Sequence, residues 1–406
     1  MSAEFGVLRL PEEIRFGWGA RASVPGIVRA LGVRALVVTD AVLAGTPHFR
    51  DLMAEIEGAG VGVTVQTDVP AELPMTAIVR LAEAARNLAP DVVVGYGGGS
   101  ALDAAKLVAL LLTHGGTLPD YYGENRVPGP VLPLVAIPTT AGTGSEVTPV
   151  AVISDPDREL KVGVSSPRLI PRVAVVDPEL TVGAPRGVTA HAGIDAFVHA
   201  VESFTARDLV PAQTAPLPVF VGRNALTAPL SLEAAALIHE ALPRVIDDPA
   251  DVAARTAMAR GSLLAGMAFG AAGTHLSHAI QYPVGALTHT PHGLGTGTLL
   301  PFVMQACAAA VPDRLARLGE ALGLPPHGTV AARAQSAVDA IAALCARIGL
   351  PPSLAELGIS ETELDRIVEL TLMSARLVTI SPLPQDAEAV ARIVRAAHVG
   401  DRSLLA

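Results

Sequence analysis

Apolar residues in the first 186 positions come in short unbroken runs, separated by stretches with helical spacing. RALVVTD (34–40) is a β-rich run that ends on a carboxylate, and VGVTVQT (61–67) is a second. Between them PHFRDLMAEIEGA (47–59) repeats its apolar positions every three or four residues and stops at Gly60, which reads as a helix. TAIVRLAEAARNL (76–88) reads the same way, and DVVVGYGGGSALDAAKLVALLL (91–112) gives strand, glycine turn and helix in succession. An apolar run bounded by turn residues suits a strand buried on both faces. Strands that alternate with helices predict a parallel sheet with helices on both sides. Residues 1–30 read as an entry segment and then a helix from about Ser23.

After VAVVDPELTVGAP (173–185) the pattern changes to one Ala/Leu-rich helix after another. Helices are predicted at 187–204, 231–245, 250–272, 274–282, 297–310, 312–322, 328–348, 361–375 and 384–397. The chain therefore divides into an α/β domain over 1–186 and an all-α domain over 187–406. One stretch, TARDLVPAQTAPLPVFVGRNALTAPLS (205–231), is rich in proline and interrupts the helices. It fits a lid, an oligomer contact or a surface excursion packed on its own side chains.

Composition narrows the function. Half the 406 residues are apolar and 17% are charged, which describes a folded chain with sizeable cores. A net charge of −10 argues against nucleic acid or an anionic membrane as partner, and 3% aromatics leaves little for base stacking. The start, MSAEFGVLRLPEEIRFGWG, has early acids and no apolar core, and LVALLL (107–112) falls far short of a membrane span. The expectation is a cytoplasmic protein. Cys307 and Cys345 both sit in Ala-rich helical runs and read as small apolar packing residues.

Against that background two histidine-bearing segments stand out. In GIDAFVHAVESF (193–204), Asp195 and His199 are four apart on a helix and leave on one face. In THLSHAIQYPVGALTHTPHG (274–293), His278 and His292 bracket a turn-prone stretch with Pro283, Gly285 and Pro291. A carboxylate with two or three imidazoles suits iron(II), zinc or a similar ion. Each residue alone also fits an ordinary helix histidine.

Three features of the first half point to a cofactor. Gly97-Gly98-Gly99 follows a strand, with Ser100 placed to cap the next helix and Asp103 three residues on. Glycines let a phosphate approach the backbone, and the helix N-terminus offers amide N–H groups. A second loop after an apolar strand crowds Thr139, Thr140 and Thr143, suited to the phosphates and ribose of a dinucleotide. Asp40 ends its strand where a carboxylate would accept a ribose 2′-hydroxyl and repel a 2′-phosphate, favouring NAD over NADP. Plain strand-to-helix turns would look similar. No GxSxG or HExxH motif supports a hydrolase.

These motifs, taken together and in order, resemble the iron-containing (group III) alcohol dehydrogenase family over nearly the whole chain. They are VTDAVL (38–43), GYGGGSALDAAK (95–106), IPTTAGTGSEVT (137–148), DPEL (177–180), GIDAFVHAVESF (193–204) and HAIQYPVGALTHTPHG (278–293). The resemblance implies a Rossmann-like N-terminal dinucleotide-binding domain and an all-α C-terminal domain, the dehydroquinate synthase-like architecture. It implies NAD and Fe2+ (or Zn2+) as cofactors, with Asp195, His199, His278 and His292 holding the metal. Gly97, Gly98, Gly99, Ser100, Asp103, Thr139, Thr140, Thr143 and Asp40 would then serve the cofactor. An alcohol, aldehyde or ketone would be the substrate, and a homodimer the working form. Many members carry a second histidine where this chain has Tyr282, which puts Tyr282 in the place of a proton relay. The 205–231 stretch resembles the hydroxyacid–oxoacid transhydrogenase branch, an alternative alongside a maleylacetate-type reductase or a non-catalytic NAD- or metal-binding protein.

Overall fold

Strand burial follows the apolar runs. The computed structural model describes residues 5–209 and 216–405. Among these, the strands are β1 (Glu13–Phe16), β2 (Arg34–Val38), β3 (Gly62–Gln66), β4 (Val92–Gly97), β5 (Gly123–Glu124), β6 (Leu134–Pro138), β7 (Val150–Ile153), β8 (Val162–Ser165) and β9 (Val173–Val176). Six form an all-parallel sheet in the order β1-β9-β6-β4-β2-β3, and β5, β8 and β7 form a small second sheet. β4 and β6 lie in the middle and are buried along their length, while the edge strands β1 and β3 carry exposed positions.

Alternate side chains serve opposite faces. Ala35, Val37, Val92 and Val94 pack with Phe49, Leu52 and Ile56 of helix Pro47–Gly58. Leu36, Val38 and Val93 pack with Ile78 and Leu81 of helix Met75–Ala85 and with Ala105 and Val108 of helix Gly99–His114. Each fully buried Val or Leu contributes roughly 1.5–3 kcal/mol. The helix after β2 therefore covers one face and the helix after β4 the other, although β2 and β4 are neighbours. The loops leaving them therefore part in opposite directions, and open α/β sheets bind ligands at such a point, outside the carboxyl ends of the strands.

The chain divides into two units, Arg9–Ala184 and Pro185–Ala406, the second joined by the described part of Met1–Leu8. Phe5 O accepts from Ala225 N–H at 3.0 Å, and Val7 N–H donates to Asn224 Oδ1 at 3.3 Å. The first residues therefore go with the helical unit and not with the α/β domain assigned them by sequence. The helical unit is built on Arg186–Thr205, Thr227–Asp247, Val252–Ala272, Leu276–Thr288 and His292–Cys307, with further helices toward the C-terminus. None of the described helices is long and apolar enough to cross a membrane.

Several expectations are corrected. The turn-prone stretch between His278 and His292 is mostly helix: Leu276–Thr288 runs through Pro283 and Gly285, and the turn is confined to the residues just before His292. Burial of His278, Ala279, Ile280, Pro283 and Val284 outweighs the weak helix propensity of proline and glycine there. Ser100 does not cap its helix. Gly98 holds that position and the helix starts at Gly99, because Gly97 at φ +148° turns the chain earlier. β1 has no apolar run and escaped the pattern. Of the 205–231 stretch, residues 210–215 lie outside the described residues. Its stem closes as an antiparallel bridge between Asp208 and Gly222, with Val219, Phe220 and Val221 buried.

Candidate metal centre and dinucleotide loops

Helix Arg186–Thr205 carries three acidic or imidazole groups at i, i+4 and i+7, which puts Asp195, His199 and Glu202 on one buried face. Helices Leu276–Thr288 and His292–Cys307 bring His278 and His292 to the same place. Asp195, His278 and His292 form a group whose ligand atoms all lie within 4.8 Å of one another. Asp195 Oδ1 is 3.8 Å from His278 Nε2 and 3.7 Å from His292 Nε2, and Asp195 Oδ2 is 3.7 Å from His199 Nε2. Ligands about 2.1 Å from one tetrahedral ion stand about 3.4 Å apart, so these spacings need only a slight contraction. The His199 ring lies against Phe269 at 4.2 Å between centroids and against His278 at 4.9 Å, which leaves it little room to turn.

The orientation of His278 comes from a residue the sequence reading missed. Glu202 is fully buried and accepts from His275 N–H at 2.9 Å, Ser277 N–H at 2.6 Å and His278 Nδ1 at 2.7 Å. Burial alone would raise its pKa, but His275, His278 and the Ser277 amide outweigh that and hold it at about 2. An ionised carboxylate only accepts, so the proton of His278 sits on Nδ1 and the bare Nε2 faces Asp195. That Nε2 is buried and has no hydrogen-bond partner among the described residues. A buried lone pair aimed at a carboxylate costs free energy unless a cation lies between them. With a carboxylate and imidazole nitrogens around it, the site fits a divalent ion. Thr296 adds a hydroxyl that donates to Asp195 Oδ1 at 2.9 Å. His275, from the histidine-rich segment, is not part of the cluster: its Nε2 shares a 2.9 Å hydrogen bond with Thr205 Oγ1. The Tyr282 ring stacks on His292 at 6.2 Å and 26°.

In the α/β unit, Asp40, the glycine turn and the threonine loop line up on the adjacent strands β2, β4 and β6. Asp40 Oδ1 accepts from Val42 and Leu43 N–H, both at 2.9 Å, so the residue caps a short helix. Its Oδ2 lies 4.0 Å from where a Cβ on Gly97 would stand. Thr139 N–H donates to Gly97 O at 3.0 Å, and a Cβ on Gly99 would stand 2.7 Å from Thr143 Cγ2, so the two loops are pressed together. With Gly98 as the cap, the Gly99 and Ser100 N–H groups are among the free donors that open a sixteen-residue helix.

Asp103, expected at the cofactor, has both carboxylate oxygens engaged by the chain itself. It accepts from Ser145 Oγ–H at 2.6 Å and from Val152 N–H of β7 at 2.9 Å, so its carboxylate ties the threonine loop to the strand that follows. Lys106 joins this brace, donating to Thr148 O at 2.9 Å and Val150 O at 2.8 Å while fully buried. Burial pushes its pKa down to about 8, below the usual 10.5. Below pH 8 the folded and unfolded states both carry the proton, and the cost of burying the charge stands in full. Between about pH 8 and 10.5 only the folded state releases it. Wild-type stability relative to Lys106→Met should therefore rise across that window, as read by urea denaturation at pH 8 and pH 10. A difference that stays flat would show that Lys106 remains charged when buried.

The "Iron-containing alcohol dehydrogenase" family pattern matches residues 11–178, and "Fe-containing alcohol dehydrogenase family, C-terminal" matches 189–398. The chain is 33% identical over 384 residues to an NAD-dependent methanol dehydrogenase of Bacillus methanolicus, covering 93% of this chain and 97% of that protein. It is 30% identical over 419 residues to a mitochondrial hydroxyacid-oxoacid transhydrogenase of Caenorhabditis briggsae, covering 97% and 90%. Among solved structures, a 1,3-propanediol oxidoreductase superposes with a TM-score of 0.90 at 31% identity, covering 97% of this chain and all of that one.

Proposed function

The chain belongs to the iron-containing alcohol dehydrogenase family, and we propose that it interconverts a small neutral alcohol and its aldehyde or ketone with NAD(H). The observation that carries this is the cluster of buried Asp195 and His278 with half-buried His292 beside His199, with Nε2 of His278 left bare by Glu202. Asp195, His199, His278 and His292 would hold iron(II), with zinc as the competing ion, since it binds such sites more tightly. When bound, the ion supplies Lewis-acid polarisation of the substrate oxygen and the nicotinamide supplies or takes the hydride.

The chain's own residues do the rest. Glu202 and Thr296 fix His278 and Asp195 before any ligand arrives. Gly99 and Ser100 offer N–H groups to the pyrophosphate, and Thr139, Thr140 and Thr143 border it. Oδ2 of Asp40 would take the ribose 2′-hydroxyl, which favours NAD over NADP. A neutral substrate is favoured because the ligand segments 193–204 and 274–293 carry no Lys or Arg that could hold a carboxylate. The working form is a homodimer.

Tyr282 takes the proton-relay position beside His292. Its replacement by Phe should lower kcat about a hundredfold or more with metal content unchanged by elemental analysis. A kcat that matches wild type at every pH would remove Tyr282 from the reaction.

The reading as a whole is tested by NADH oxidation against aldehydes, ketones and 2-oxoacids, with protein stripped of metal and reloaded anaerobically with iron(II) or zinc. Turnover of simple carbonyls should vanish on stripping and return on reloading. Full turnover without metal would sink the proposal. So would silence with free NADH together with hydride exchange between a hydroxyacid and an oxoacid, which would assign the transhydrogenase reaction.

A further inference from the structure

On the reading that these loops hold NAD, we propose that Lys106 is a positioning residue for the cofactor, the third of three contacts by which helix Gly99–His114 fixes the threonine loop beside the glycine turn. Gly99, Asp103 and Lys106 stand at i, i+4 and i+7, on one face of that helix. The chain over 143–152 crosses this face and meets each of them in turn. Gly99 lies against Thr143, with 2.7 Å between Thr143 Cγ2 and the place a Cβ would take. Asp103 takes Ser145 Oγ–H and Val152 N–H. Thr143 Oγ1 accepts from Ser145 N–H at 3.3 Å, which leaves its O–H to donate to a phosphate. Lys106 Nζ donates to Val150 O at 2.8 Å, Thr148 O at 2.9 Å and Thr148 Oγ1 at 3.4 Å.

The backbone of β7 shows why a side chain is needed there. β7 is the edge of its three-stranded sheet and pairs with β8 alone. Ser166 N–H donates to Pro149 O at 2.8 Å, so residue 149 and, by alternation, 151 turn their backbone groups toward β8. Those of Val150 and Val152 face the other way, and Lys106 and Asp103 take them in place of a fourth strand. Of the chain's 29 lysines and arginines only Lys106 and Lys161 are lysines. A compact ammonium on a narrow stem spreads three N–H groups over three oxygens in a place with no exposure, where a planar guanidinium would not fit. Without those donors the closed loop would hold two unsatisfied carbonyls, and it would open to hydrate them. A cofactor that needs the loop closed then binds more weakly in proportion to the closed fraction.

The opposing reading is that Lys106 serves stability alone, and Lys106→Met separates the two. Methionine fills the same space with no charge to bury, so folding stability in urea at pH 7 should change little. The dissociation constant of NADH, read on the full chain by fluorescence titration, should rise about tenfold or more. Deuterium uptake over 139–152 should increase without NADH and fall back when NADH is added, while uptake elsewhere and metal affinity stay as in wild type. Should Lys106→Met not fold, Lys106→Gln, with two N–H donors on a shorter arm, takes its place and should show the same two changes in smaller measure. Wild type that binds no NADH would overturn both the NAD reading and the role of Lys106. Wild type that binds while the variant binds equally well would overturn the role of Lys106 alone. So would a loss of affinity with uptake raised throughout the chain, which would assign Lys106 to general stability.

Discussion

Glutamine at position 202 should weaken metal binding by about 10- to 100-fold, the usual cost of losing the group that orients a ligating histidine. Glu202, fully buried, accepts from two backbone amides and from His278 Nδ1. The amide of glutamine has one oxygen for three donors, and its NH2 would meet a donor head-on. His278 would then turn or change tautomer, and Nε2 would no longer be the bare nitrogen. Leaving buried donors unsatisfied costs about 1–3 kcal/mol each, so the variant should also lose stability by a few kcal/mol. Metal affinity, read by chelator competition on the apo protein, separates this from a general loss of activity. Glu202→Asp keeps the charge on a shorter arm and should recover part of the affinity. Wild-type affinity in Glu202→Gln would show that His278 is held by its packing alone.

The sequence carried the metal ligands further than it carried their supports. Asp195 and His199 are legible because helical spacing fixes them on one face, and the same arithmetic reaches Glu202 at i+7. What hid Glu202 is that its acceptor role depends on His275, Ser277 and His278, on another helix. Thr296 is hidden for the same reason: its hydrogen bond to Asp195 spans a hundred residues of chain. In the α/β unit the alternation of strands and helices was readable, since two buried faces leave unbroken apolar runs. β1 was not, because an exposed edge strand needs no such run. Asp103 shows the limit of motif reading. It sits in the glycine motif, yet both its carboxylate oxygens are taken by Ser145 and Val152 of the neighbouring loop and strand. The path of Leu276–Thr288 through Pro283 was decided by burial, which no local propensity records.

Alanine at Gly293 should damage the metal centre more than any other single methyl group. Gly293 follows His292 at the start of helix His292–Cys307. A Cβ there would fall on the carbonyl of His191 and stand 2.9 Å from Asp195 Cβ. The first obstacle is backbone of helix Arg186–Thr205, so no side chain can rotate away to make room. Either that helix moves and carries Asp195 and His199 with it, or His292 is pushed off the cluster. Overpacking of this kind costs about 1–3 kcal/mol, against about 1 kcal/mol gained from alanine's better helix propensity, so the stability change alone is modest. The larger effect is positional. A shift of about 1 Å between catalytic groups costs about a hundredfold in turnover, and the metal dissociation constant should rise with it. Gly58→Ala supplies the control, since that residue ends a helix with open space where its Cβ would stand. It should leave metal affinity alone and hold or raise the melting temperature. If Gly293→Ala matches it in both measurements, then close approach of the two helices is not what sets the ligand geometry.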